Sequence, residues 1–191
     1  MKNTKLALAP VLLLLAACGG GGSGAGPVAP APATTLSYTN PPLAGYSLQV
    51  VPASNHTRQL TLNLVGPTGQ MAQGVSIFLT ADPALVTWAK TAGAYAVPGT
   101  VFTLGPAPQA FVTSVSAAGG LQVGLYQKTG SVTYGSAPLL SLGLNLLAGS
   151  VKAGSTVALS VSSGTQAVYV DVNGAVQPLA APVAVGTLVA N

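Results

Sequence analysis

Alternation with a period of two constrains this chain more than any other feature. Between Leu139 and Leu147, the side chains of Leu140, Leu142, Leu144 and Leu146 fall on one side of an extended backbone, with Ser141, Gly143 and Asn145 on the other. Successive residues of a strand point to opposite faces, whereas a helix would spread these leucines around its circumference. The same spacing recurs at Leu60, Leu62 and Leu64, at Val75, Ile77 and Leu79, and at Leu121, Val123 and Leu125. It returns at Val157, Leu159 and Val161, at Val168, Val170 and Val172, and at Val183, Val185, Thr187 and Val189, while Phe111 to Ser116 adds a further extended run. Turn residues punctuate the series: Gly66-Pro67-Thr68-Gly69, Asp82-Pro83, Gly119-Gly120 and Asn173-Gly174. A residue before proline is pushed toward extended geometry, and Asn-Gly after an alternating run is a strong hairpin signal.

Three stretches depart from the pattern. Ala84 to Trp88 reads as a single helical turn, with Trp88 placed to cover one end of a core. Thr91 to Pro108 carries Pro98, Gly99, Gly105, Pro106 and Pro108, so it reads as a long loop with one short strand at Val101 to Leu104. Gly130 to Gly135 reads as a polar loop. No segment has the 3.6-residue period of an amphipathic helix. Residues 46–191, roughly 146 in number, suffice for one domain with its own core. Eight to ten short strands at close spacing predict an all-β fold: an antiparallel β-sandwich of jelly-roll type, forming a single domain after a disordered tether.

Ahead of that domain, Lys2 and Lys5 precede a 12-residue apolar run from Leu6 to Ala17. A spanning helix needs about 20 apolar residues, so the run is too short and has the layout of a signal peptide over residues 1–17. It ends in Leu15-Ala16-Ala17-Cys18, which resembles a bacterial lipobox and holds the only cysteine of the chain. The resemblance implies a diacylglycerol thioether on Cys18, cleavage before it and acylation of the new amine. An ordinary secretory peptide is the alternative, and it would leave a free thiol in an oxidising compartment. Lipoproteins of this kind commonly carry aspartate after the cysteine when they stay at the inner membrane. Gly19 stands there instead, and by that resemblance the destination is the outer membrane, with the leaflet open. Residues 18–45 then read as a tether, glycine-rich first and proline-rich around Pro27, Pro30 and Pro32. Gly19, Gly21 and Gly24 match G-x-G-x-x-G in letters alone, because no strand precedes them and no helix follows.

Gly74-Val75-Ser76-Ile77-Phe78-Leu79 runs into Asp82-Pro83-Ala84-Leu85-Val86, and Pro138-Leu139-Leu140-Ser141-Leu142 and the closing Val183-Ala184-Val185-Gly186-Thr187-Leu188 follow in order. The arrangement resembles the cohesin-like modules of the cohesin and carbohydrate-binding β-sandwich group. That resemblance implies a sandwich that binds another protein or a glycan.

Composition narrows the chemistry. The chain has six Lys and Arg and two Asp, with no Glu. Beyond Cys18 only Arg58, Lys90, Lys128, Lys152, Asp82 and Asp171 remain, scattered singly. Nucleic-acid binding draws on clustered cations and is excluded as a partner class. Asp82 and Asp171 are the only carboxylate pair for glycoside hydrolysis, and each has a turn role instead. His56, in Ser54-Asn55-His56-Thr57-Arg58, lies in a polar turn with no G-x-S-x-G elbow elsewhere. No catalytic residue, cofactor or metal site is expected. The polar faces are built from Ser, Thr, Asn, Gln and Tyr, which suit a protein partner of the envelope or a glycan. Tyr95, Tyr126, Tyr134 and Tyr169 are expected to be exposed, and Tyr126 and Tyr169, both on predicted strands, are the candidate ligand contacts. The expected function is a lipid-anchored, non-catalytic interaction or assembly module, with a carbohydrate-binding module as the alternative.

Overall fold

The computed structural model describes residues 30–104, 111–149 and 151–191, with only the backbone at Phe111 and Val112. Cys18 and the expected signal peptide lie outside the described residues. Sixteen strands occur among the described residues. In chain order they begin with β1 (Leu36–Thr39), β2 (Ser47–Val50), β3 (Gln59–Val65), β4 (Met71–Ala72), β5 (Gly74–Ala81), β6 (Val86–Ala89), β7 (Ala96–Pro98) and β8 (Phe111–Val115). They continue with β9 (Gly120–Tyr126), β10 (Val132–Thr133), β11 (Leu140–Leu146), β12 (Ser155–Val157), β13 (Leu159–Val161), β14 (Val168–Val170), β15 (Val176–Pro178) and β16 (Thr187–Ala190).

Two antiparallel layers enclose the core. The first has β2, β3 and β11 side by side, with β6 and β7 following one another along the far edge of β11. The second has the order β15-β14-β5-β9-β8, with β13 and β14 sharing one edge of β5. A three-stranded sheet, β1-β16-β12, flanks the first layer through single bridges at Leu36–Thr57 and Ser47–Ala184, and β4 pairs with β10. Register explains the core. Leu140, Leu142 and Leu144 lie opposite Leu64, Leu62 and Leu60. The Val75, Ile77 and Leu79 row lies opposite Leu125, Val123 and Leu121. All twelve are buried, so each inward row meets another of the same polarity.

The domain begins earlier than position 46. Ala33, Leu36 and Tyr38 are buried in the core, and β1 pairs with β16 over its whole length. A Pro-rich approach does not prevent this, because the prolines precede the strand. Tyr38 donates to the Leu48 carbonyl at 3.3 Å and accepts from the Gly186 amide at 2.6 Å, joining three segments. The single turn expected at Ala84 to Trp88 falls earlier, at Pro83 to Leu85, and does not reach Trp88. The amides of Leu85 and Val86 both bond to the Asp82 carbonyl, and the chain then enters β6. Trp88 is buried as expected and its Nε1 donates to the Gly119 carbonyl at 2.8 Å. The short strand of the long loop falls at β7, ahead of Val101 to Leu104, and Phe102 is the buried anchor there. Residues 105–110 of that loop lie outside the described residues. The loop Gly130 to Gly135 contains β10.

Two apolar runs are also partitioned differently. Val157, Leu159 and Val161 belong to two strands: β12 joins β16, while β13 crosses to the other layer and joins β5. The closing run becomes a regular strand only from Thr187, with Leu188 and Ala190 buried in place of Thr187 and Val189. The change of parity falls at Gly186, where a Cβ would lie 1.9 Å from the Thr39 carbonyl oxygen. Only a residue without a side chain passes so close to the neighbouring backbone.

Tyr134 is buried at 2% exposure, against the expectation that it would face solvent. Its ring meets Tyr46 and Phe102 edge-on, at centroid separations of 6.0 and 5.8 Å. Burial raises the Tyr134 phenol above its ordinary value and pushes that of Tyr46 up to about 12, so both stay neutral. The two hydroxyls approach each other, and that of Tyr46 also approaches Gln70, but neither completes a well-formed hydrogen bond among the described residues. A buried polar atom without a partner costs about 1–3 kcal/mol, and phenylalanine keeps the ring contacts. Tyr134→Phe should therefore raise stability, by about 1 kcal/mol in urea unfolding. A loss of stability would mean that the Tyr46 hydroxyl or an ordered water satisfies the Tyr134 hydroxyl.

Candidate functional site

The outer face of the β15-β14-β5-β9-β8 sheet follows from the same alternation that built the core. Val75, Ile77 and Leu79 turn inward, so Ser76, Phe78 and Thr80 turn outward on β5. On β9 the outward residues are Gln122, Gly124 and Tyr126, which register opposite Phe78, Ser76 and Gly74. Val168 and Val170 of β14 lie opposite Ser76 and Gly74, and Val176 and Pro178 of β15 continue that row. None of these strands contains a charged residue. The outer face of the first layer differs: it offers Thr61, Asn63, Ser141 and Asn145, and the Ser141 hydroxyl donates to Asn63 Oδ1 at 2.6 Å.

Two depressions indent the uncharged face. One, of about 170 Å³, is floored by Ser76, Phe78 and Gln122 and walled by Thr165 and Gln166. The other, of about 300 Å³, is lined by Thr165, Val168, Val176 and Pro178. The 3₁₀ turn Gly164–Gln166 stands between them as a ridge. Phe78 is half-buried, and its ring lies over Gly120, where a Cβ would come within 2.6 Å of Cζ. The bare glycine lets the ring lie down on the sheet. Val176 is 66% exposed at the edge.

Tyr126 and Tyr169 do not form a joint platform. Tyr126 is opposite Gly74 and faces outward, whereas Tyr169 is opposite Val75 and faces the inter-sheet side. Sugar stacking on two rings needs both on one face. Tyr126 also supports the fold, because its hydroxyl donates to Gln73 Oε1 at 3.2 Å and Gln73 Nε2 donates to the Val172 carbonyl at 3.0 Å. It thereby ties β9 to the β14–β15 hairpin. Tyr95 lies under the Lys90 ammonium, 4.8 Å from the ring centre.

The two aspartates hold turns. Asp82 Oδ1 accepts from the Ala84 amide at 2.9 Å. Asp171 Oδ1 accepts from the amides of Asn173 and Ala175, and Oδ2 from Gln177 Nε2. These bonds, from Ala175 first and then Gln177, hold the Asp171 carboxyl below its ordinary value. Asp82 follows the last residue of β5, and Asp171 follows Val170, which lies opposite the first. At about 3.3 Å per residue, that places the pair on the order of 25–30 Å apart. Carboxyls that share a glycosidic bond stand within about 10 Å of each other. His56 is exposed in its turn at φ 62°, its amide bonded to the Leu36 carbonyl. No group of three or more His, Cys, Asp or Glu fit to hold a metal occurs among the described residues.

The depressions on the uncharged face are what the sequence left unmarked. Phe78 was readable as outward from the alternation of β5, but the ridge over it comes from a 3₁₀ turn about 90 residues later in the chain.

In sequence, no family model and no curated protein matches the chain. In structure, it is similar to CaCohA2 of Clostridium acetobutylicum, with a TM-score of 0.53 at 12% identity over 83% of this chain and 91% of that one. It is similar as well to the sixth cohesin of scaffoldin B of Acetivibrio cellulolyticus, solved in complex with a Cel5 dockerin, with a TM-score of 0.51 at 19% identity over 81% and 97%. A third likeness is to the Coh-OlpA-Doc918 complex of Clostridium thermocellum, a type I cohesin–dockerin complex, with a TM-score of 0.50 at 10% identity over 82% and 99%. Likeness at such identities reaches as far as the backbone arrangement: the fold of this chain is a cohesin-like β-sandwich.

Proposed function

We propose that the chain is a non-catalytic, lipid-anchored module of the bacterial envelope, carried on the outer membrane through Cys18, that holds a protein partner on the outer face of the β15-β14-β5-β9-β8 sheet. The observation that carries this reading is the uncharged face with paired depressions on either side of the Gly164–Gln166 ridge. Two of the cohesin structures it resembles are complexes with dockerins, which agrees with a protein partner. With no charge to steer encounter, the partner must offer an uncharged surface with apolar side chains that enter the depressions.

Pull-down from envelope extract with the full chain as bait tests the reading. A stoichiometric protein is expected on the wild-type bait. Phe78→Asp places an unpaired carboxylate at the centre of the contact and should weaken capture by at least about 30-fold, roughly 2 kcal/mol, with the circular dichroism of the fold unchanged. Capture that survives Phe78→Asp would move the interface elsewhere. Glycan without protein, lost on Tyr126→Ala, would replace this reading with a carbohydrate-binding one.

A further inference from the structure

Where the β14–β15 hairpin meets the turn between β3 and β4, the two layers leave a cavity of about 400 Å³. That is within the usual range for small-molecule sites. None of its lining residues belongs to the outer face described above. Its walls include Tyr46, Pro67, Gln70, Met71, Tyr169 and Asp171. Gln177 lies opposite Tyr169 across the β14–β15 pair and its Nε2 donates to Asp171 Oδ2, which holds the carboxylate on the Tyr169 side of the hairpin.

The charge at this cavity is one-sided. No Lys or Arg lines it, while Asp171 is one of only two side-chain carboxylates in the chain. Its oxygens are fixed by the amides of Asn173 and Ala175 at 2.9 Å each and by Gln177 Nε2 at 3.1 Å. All three partners are neutral donors, so they orient the negative charge without cancelling it. The remaining walls are mostly apolar, with two tyrosine rings, a thioether and a proline ring, and the amide of Gln70 adds a neutral polar group. Aromatic rings attract a cation through their quadrupole, most strongly where water is displaced.

We infer that this cavity is a binding site for a small organic cation, an ammonium group with apolar substituents set between Asp171 and the rings of Tyr46 and Tyr169. An anion would be repelled by Asp171. A neutral apolar guest would strip water from that carboxylate and give nothing in return.

The test is an NMR titration of the full chain, held in a sugar-headgroup detergent that contributes no ammonium. The Met71 methyl and the amides of residues 169–172 are the reporters. The probes are choline and its uncharged isostere 3,3-dimethylbutan-1-ol. Choline should shift these signals saturably, and the isostere should bind at least about tenfold more weakly. Asp171→Asn keeps an acceptor oxygen for the loop amides, and it should weaken choline by at least about tenfold while leaving the isostere unchanged. Equal binding of the two probes, choline binding indifferent to Asp171→Asn, or no saturable shift in the millimolar range would each overturn the site. The comparison of probes on the wild-type chain needs no variant to fold.

Discussion

Leu144→Ala should destabilise the domain by about 3–4 kcal/mol, the largest loss expected from a single core truncation here. Leu144 is fully buried and sits mid-strand on β11, opposite Leu60 on one side and Trp88 on the other. Leucine-to-alanine changes in cores cost about 2–5 kcal/mol, and the value rises when neighbours cannot close the cavity. Both neighbours of Leu144 are held: Leu60 by its strand register, and Trp88 by the bond from Nε1 to the Gly119 carbonyl. The site should therefore collapse little. In a domain of this size the melting temperature should fall by roughly 10 °C, and the urea midpoint should drop with its slope unchanged. A loss below about 1.5 kcal/mol would show that the layers close over the hole. Val176→Ala, at the exposed edge, should stay within about 0.5 kcal/mol of wild type.

Cys18→Ser should remove the chain from the membrane fraction altogether, or leave it there only as an unprocessed precursor. This outcome follows from the proposed anchoring. Each buried methylene contributes about 0.8 kcal/mol, so two or three acyl chains on one residue hold far beyond the marginal grip of a single chain. Serine offers no sulfur for the thioether. Palmitate labelling and carbonate extraction of membranes read the result directly. Labelling that persists in the variant, or retention of a processed form after extraction, would refute the anchor.

The four long strands were legible from spacing alone. In β3, β5, β9 and β11 every predicted inward residue is buried, because strands paired on both edges must carry unbroken alternation. Periodicity says which side of a strand is inward, and it is silent on which layer the strand joins. Val157, Leu159 and Val161 show this, since both layers face the same core and the chain can change sheets at Ala158 without changing its pattern. At the closing run, Gly186 resets the parity through a backbone contact with Thr39, a residue about 150 positions away. The first strand was hidden by composition: Leu36 and Tyr38 are core residues, but they follow a stretch whose Gly and Pro content reads as linker. The tyrosines were the least legible. Tyr126 and Tyr169 both sit on strands as predicted, yet their registers against adjacent residues of β5 send them to opposite faces. Tyr134 lies in a loop rich in Gly, Ser and Thr and is nonetheless buried, because its ring completes an aromatic cluster with residues far along the chain.

The seam at the start of the domain also governs how it bears tension. Ala33 donates to the Val151 carbonyl and Ala31 accepts from Ala153, after which β1 lies antiparallel along β16 with Leu36 opposite Ala190. Pulling the chain ahead of Pro30 against something gripped on the far sheet loads β1 along its own axis. Its ladder is then sheared, and all of its hydrogen bonds must fail together. Pulling between that point and Asn191 is a different geometry, because Thr34 and Thr35 both bond to the Asn191 carbonyl at the same end of the pair. There the ladder opens like a zipper, one bond at a time. The same strand pair is thus a strong clasp in one direction of load and a weak one in the other.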